Sequence, residues 1–439
     1  MLTQNYKFIW IVAVYNVKVE FYSGVVFMIN ESGFLPCSDN WCVDGNRAWC
    51  VDVERNILYC INLQSREFEF MKEIPEKSTN TFRMNPNCIK YRDFIFCMPI
   101  TGNSIWIYQI KNSQFQQIKI HNPNSVRVAM VDFWQFDEKM YVVSRGLRQV
   151  FEISMEKQKI NNCYDLYNID ASWIAKSIMV GKVIYSVCIA VSEIHLFDIE
   201  TKNTSKYYIQ NIKGGFETIC FDGKNFWLSG CHKEIYLWNE GKDTVTILND
   251  FPAQFGKYNI QSSEKEFLDC KTVEFEAYTF FFQSVAIGRY IWFVPLLMNK
   301  LIYVDKDSFE IFAFEIENED ETRETLMSRQ MNIKFIMEYV REERYLGIFS
   351  TKNSCIIEID TLENKYEKKY FGFNHSFIEN MVQMYMNHEG VCFKENDSLD
   401  RMAFAKLLNM DIQREKISSV SAGYNIYQST LNGGIANEQ

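Results

Sequence analysis

A large apolar residue followed seven positions later by a polar turn residue recurs along the chain, at Trp49/Asn56, Phe96/Asn103, Tyr141/Arg148, Tyr185/Ser192, Phe226/Lys233, Trp292/Asn299 and Leu346/Asn353. Each copy has the same grammar. A first apolar run leads into a tight turn, as in Ile219-Cys-Phe-Asp-Gly-Lys, and a second run carries the anchor, as in Phe226-Trp-Leu-Ser. A short polar loop and a third run follow, as in Ile235-Tyr-Leu-Trp, and an alternating segment such as Glu67-Phe-Glu-Phe-Met closes the unit. Short alternating runs joined by tight turns predict four antiparallel strands per copy. Repetition at this period predicts an array of blades.

The first five anchors lie 41 to 47 residues apart, and the last two steps are 66 and 54. The long steps place insertions at about 249–283, which holds Phe255, Tyr258 and Phe267, and at about 316–332, which begins in the acidic run from Glu315. Long loops in a compact repeat are functional or flexible. After the seventh copy, Met381-Val-Gln-Met-Tyr-Met, a turn at Asn387 and Val391-Cys-Phe-Lys repeat the first half of the grammar only. The missing strands are available near the start, at Val17-Lys-Val-Glu-Phe and Val25-Val-Phe-Met-Ile. A ring loses its free edge when its last blade joins its first. The expectation is therefore an all-β propeller of eight blades with a split closing blade, over 17–395; the alternative is seven blades with terminal additions. Residues 1–16 form an N-terminal extension, and 396–439 a short helix at about 399–409 with a Gly/Asn-rich tail.

The aromatic in each second strand and the apolar cluster in each third strand resemble the kelch and galactose-oxidase-like group of β-propellers. The likeness is one of pattern over about 17–395. The paired glycines of a kelch blade are missing, since Gly214-Gly215 precedes a first strand, and so are Trp-Asp and Gly-His marks of the WD type. The resemblance implies a propeller and carries over no functional residue.

Composition supports strands: 47% of the residues are hydrophobic and 15% aromatic, and Phe, Tyr and Trp suit a pleated, half-buried surface. The formal charge of -10 disfavours general attraction to nucleic acid or an anionic membrane. Thirteen cysteines, an odd number, sit mostly inside apolar runs, as Cys60, Cys97, Cys188, Cys220 and Cys355 do. They read as buried free thiols of a reducing compartment. The apolar run Phe8 to Tyr15 is too short to span a bilayer and has no cleavage site after it, so the cytoplasm is expected.

The five histidines, His121, His195, His232, His375 and His388, fall in separate repeats, and no zinc, phosphate-cradle or nucleophile-elbow spacing occurs. No metal or other cofactor is expected. What propeller geometry offers is a loop face. The second-to-third loops carry Asn103, Arg145, Arg148, His232, Lys233, Asn299, Lys300, Lys352 and Asn353, with Glu193 and Glu234; longer connections bring Arg83, Arg127 and Lys213 to the same end. A basic rim on an acidic protein focuses field on an anionic ligand. Asn56, Asn103, Asn299 and Asn353 equally suit tight turns, because Asn tolerates positive φ. Two functions follow: a non-catalytic scaffold binding a protein, peptide or anionic glycan at that rim, or a propeller enzyme acting on a carbohydrate or other anionic small molecule with a Tyr, Glu or His as acid or base.

Overall fold

The computed structural model describes residues 18–22, 25–29, 38–53, 56–76, 84–122, 127–166, 174–210, 212, 214–230, 233–242, 244–252, 281–295, 300–317, 335–350, 353 and 355–373. The chain divides into two compact units, Pro36–Lys369 and Met1–Leu35 with Tyr370–Gln439. The expected strands at 381–394, the helix at 399–409 and most of both insertions lie outside the described residues.

Pro36–Lys369 holds seven sheets, each an antiparallel series of four strands in chain order. Their first strands are Cys42–Asp44, Asn87–Tyr91, Met130–Phe136, Ile174–Val180, Phe216–Phe221, Phe281–Ile287 and Phe335–Arg341, which define blades 1 to 7. First strands of successive blades adjoin one another, so they form the inner wall. The second and third strands are buried almost throughout, as in Phe226–Gly230 and Ile235–Asn239 of blade 5. Every second-strand anchor read from the sequence is buried, Trp49, Phe96, Tyr141, Tyr185, Phe226, Trp292 and Leu346 alike. The apolar core falls into clusters that each join two neighbouring blades, such as Trp49, Cys60, Cys88 and Trp106 between blades 1 and 2. The thiols expected to be buried are buried, and none of them is in a disulfide.

The described residues form seven blades, the alternative count rather than the eight expected first. Lys18–Tyr22 and Val25–Ile29 pair with each other as a hairpin, Lys18 opposite Ile29, and the segment expected to complete a split blade with them, 381–394, lies outside the described residues. Within Pro36–Lys369 the inner strands of blades 1 and 7 meet. The Trp41 amide donates to the Glu338 carbonyl oxygen at 3.0 Å, the Ser38 hydroxyl donates to Glu338 Oε2 at 3.0 Å, and the Trp41 and Tyr339 rings lie 5.8 Å apart. Farther out, Arg66 of blade 1 meets Glu367 of blade 7 at 2.5 Å. The Ser38 bond gives the buried Glu338 carboxyl a partner.

Inner strands are tied to their neighbours by side chains as well. Asn40 bonds both backbone groups of Cys88, Asn87 donates to the Met130 carbonyl, and Asp132 accepts from Lys176 Nζ and the Ser177 amide. Thr218 meets Ser284 at 2.7 Å, and Gln283 bonds both backbone groups of Met337. In blades 3 to 7 the inner strand is interrupted by a bulge, at Met130/Asp132, Ile174/Lys176, Phe216/Thr218, Phe281/Gln283 and Met337/Tyr339. A bulge adds one residue and re-aims side chains. In blades 5 and 7 the added residue is a glutamate, Glu217 or Glu338.

The turn from third to fourth strand has a signature of its own. A side-chain acceptor ends the third strand and a left-handed residue follows four positions later: Asn62/Arg66, Ser154/Gln158, Asp198/Lys202, Asp305/Phe309 and Asp360/Asn364, with φ between 51° and 63°. Asp198 Oδ1, for example, accepts from the amides of Glu200 and Thr201 at 2.8 and 2.9 Å. Such caps satisfy turn amides that the ladder leaves open. Blade 5 departs from this with a 3-10 turn, Glu240–Lys242.

Candidate functional site

Three blades converge on one charged cluster at the inner wall. Arg145 opens the second-to-third loop of blade 3, Asp132 lies on that blade's inner strand, Lys176 on the inner strand of blade 4, and Glu217 at the bulge of blade 5. The loop is seated tightly: a Cβ on Gly146 would fall 1.5 Å from the Arg127 carbonyl oxygen, and the Arg145 amide donates to the Ala129 carbonyl at 3.0 Å. Only glycine lets the backbone approach this closely, and that approach fixes where Arg145 emerges.

Asp132 is fully engaged. Its side chain is 1% exposed, Oδ1 takes Lys176 Nζ at 2.6 Å, and Oδ2 takes the Ser177 amide at 2.8 Å. Arg145 stands 3.9 Å from Oδ2, beyond hydrogen-bond reach, and its Nε is buried without a partner. Glu217 is recessed yet keeps part of its surface accessible. Burial pushes its carboxyl above the ordinary range, and the nearby Arg145 charge only partly opposes this. The cluster thus contains a guanidinium and a carboxyl whose polar capacity the protein leaves partly unused. A half-satisfied polar network at an accessible wall is chemically suited to a ligand with both an acceptor and a donor.

The other residues of the expected rim have local partners where the structure describes them. The Asn103 amide donates to Glu76 Oε1 at 3.1 Å, and its side-chain oxygen accepts from Asn122. Arg148 takes φ 56° and its carbonyl accepts from the Leu166 amide. Lys233 lies 5.5 Å over the Phe251 ring, Lys300 pairs with Glu315 at 3.3 Å, and the Asn353 amide donates to Ser350 Oγ at 3.1 Å. Asn56 is buried at φ 59° and accepts from Asn85. His232, Asn299, Arg83, Lys213 and Lys352 lie outside the described residues. Sequence reasoning missed Glu217, Asp132 and Lys176, because nothing in the one-dimensional pattern marks a bulge. His195 is 2% exposed, with Nε2 3.2 Å from Glu193, and burial lowers its pKa, so it is a packed neutral ring.

Among the described residues no group of three His, Cys, Asp or Glu is placed to hold a metal, and no helix is long and apolar enough to cross a membrane. No protein-family model matches the chain, of kelch type or any other, and no curated protein matches it. Solved structures do. The chain is similar to the computationally designed Ika8 protein at TM-score 0.50 and 5% identity, covering 77% of this chain and 87% of that one. It is also similar to U3-55K at TM-score 0.51 and 8% identity, covering 76% and 91%. At such identities the likeness concerns the fold alone.

Proposed function

We propose that the chain is a non-catalytic interaction propeller that binds an extended peptide segment of a partner protein at the inner-wall cluster of blades 3 to 5. The observation that carries this reading is Arg145, a recessed guanidinium with an unpartnered Nε beside a carboxyl that burial drives towards its neutral form. A peptide amide supplies a carbonyl acceptor for Arg145 and an N–H donor for Glu217 in one planar group. Charge-assisted hydrogen bonds of this kind are the strong ones. A rigid ring binds without reorganising, which keeps the cost of association low.

The enzyme reading has one observation in its favour, the raised pKa of Glu217, which suits a proton donor. Acid/base chemistry needs a second free group within reach, and Asp132 is taken by Lys176 and the Ser177 amide.

The test is a displayed random-peptide library selected on the intact protein. Enriched peptides that lose tenfold or more in affinity on Arg145→Met and on Glu217→Gln support the reading. Selection that enriches nothing, or peptides indifferent to both substitutions, removes it.

A further inference from the structure

The fourth strand of blade 5 differs from every other fourth strand of the ring. Its fourth strand, Thr244–Leu248, reads Thr-Val-Thr-Ile-Leu and carries no charge. The fourth strands of the other blades all carry charge, for example Lys206 in Thr204–Tyr208 and three lysines in Lys365–Lys369. Charged edge residues are the usual guard against strand addition. Blade 5 lacks the guard, and Thr244 to Ile247 are all exposed, with Val245 at 36% and Ile247 at 47%. In blades 2, 3, 4 and 7 the outer strand packs at least one aromatic against its neighbours (Phe115, Tyr164, Tyr207, Tyr366). Beside Ile247 there is instead an open groove of about 450 Å³, walled by Ile247, Phe251, Phe309 and Ile311 and edged by Asp250 and Glu310.

We infer that this edge pairs antiparallel with the same strand of a second copy of the chain, about a two-fold axis at Thr246. In an antiparallel pair, residues directly opposite point to the same face, so a two-fold register must centre on a residue. Centring on Thr246 sets Val245 opposite Ile247 twice and Thr244 opposite Leu248 twice. It also brings exposed Lys242 of each copy to the end of the strand where the other presents exposed Asp250. Centring on Ile247 would set Lys242 against Pro252, which has no amide to give, and centring on Val245 would set Lys242 against Leu248. Charge and apolar matching therefore single out one register. Cross-strand pairs of β-branched residues and opposite charges are the unit of sheet stabilisation. The pairing carries Val245 of the second copy to the Ile247 wall of the groove and covers apolar surface that one copy leaves open. A short edge pairing is a small interface, so the association is concentration-dependent.

The experiment is sedimentation velocity on the full chain from about 1 to 100 µM, the range where small interfaces form. The wild type is expected to shift from monomer to dimer. Thr246→Lys, which sets two like charges at the axis, is expected to hold the chain monomeric, while Gln116→Lys on the outer strand of blade 2 leaves the dimer unchanged. Lys242→Asp is expected to weaken the dimer tenfold or more, and Lys242→Asp with Asp250→Lys to restore it, which keeps the test valid even where Thr246→Lys disturbs folding. A wild type that stays monomeric throughout overturns the inference, as does a dimer indifferent to these changes. A monomer whose 244–248 amides resist hydrogen exchange overturns it too, since the edge is then closed within one chain.

Discussion

Tyr339 reaches across Gly347 to donate its phenol proton to Glu358 at 2.8 Å, bridging the first and third strands of blade 7. Gly347 lies directly opposite both residues, and a Cβ there would fall 2.3 Å from the Tyr339 ring. The same ring packs on Trp41, so a single tyrosine couples the sheet of the last blade to the closure of the ring. Gly347→Ala is expected to displace it and to destabilise the protein by about 2–4 kcal/mol through overpacking and loss of the bridge. Tyr339→Phe keeps the packing and leaves Glu358 with Lys369 and Arg341, so it costs about 1 kcal/mol. Urea unfolding of both variants measures the difference, and equal losses would contradict the coupling.

Ring closure carries a pH dependence through Glu338. Its side chain is 3% exposed, Oε2 is held by Ser38, Oε1 has no partner, and burial drives its carboxyl well above the usual range. A raised folded pKa means the unfolded state releases the proton first. Stability is therefore full below the ordinary glutamate value and falls as pH rises towards the raised one, by about 1.4 kcal/mol per pH unit for one proton. Glu338→Gln is expected to abolish that slope, leaving a variant that gains on the wild type as pH rises above the ordinary glutamate range. Urea midpoints at several pH values decide it; parallel curves for the two proteins would show that Glu338 ionises normally.

The blades were legible in the sequence because their apolar period is strong: each anchor from Trp49 to Leu346 is where the pattern put it. Blade number was not. Val17-Lys-Val-Glu-Phe and Val25-Val-Phe-Met-Ile are good strands and pair with each other, but strand propensity does not say to which sheet such a hairpin is added. The closing contacts are a hydroxyl, a backbone amide and an aromatic ring at Ser38 to Trp41, none of which carries a pattern. The loop position of Arg145 could be read from repeat spacing, but its companions Asp132, Lys176 and Glu217 depend on bulges that shift register by one residue. A one-residue shift exchanges faces, so period alone misplaces every side chain beyond it.

Asp132 ties blade 3 to blade 4 and sets the ground on which Arg145 stands. Removing the carboxylate leaves Lys176 Nζ and the Ser177 amide without their acceptor and a cluster with excess positive charge. Asp132→Ala is expected to cost about 3 kcal/mol, the range found when one member of a buried ion pair is lost. Asp132→Ala with Lys176→Met is expected to recover part of that loss, because no unpaired charge remains. A double variant no more stable than Asp132→Ala would place the cost elsewhere.

The third-to-fourth-strand turns hold left-handed residues that are not glycine, and that conformation costs a side-chain-bearing residue about 1 kcal/mol. Ser113 in blade 2 is the cleanest test: it is exposed at φ 56°, and its amide donates to the Gln109 carbonyl at 2.9 Å. Ser113→Gly relieves the strain but loosens the unfolded chain, so a net gain of about 0.5 kcal/mol is expected. Asp198→Ala acts in the opposite direction. It removes the acceptor of the Glu200 and Thr201 amides and is expected to cost about 1 kcal/mol, with Asp198→Asn retaining most of the cap. Thermal unfolding of the three variants gives the order Ser113→Gly above Asp198→Asn above Asp198→Ala. An Asp198→Ala protein as stable as the wild type would mean that water satisfies those amides as well as the carboxylate does, and that the turn is held by strand pairing alone.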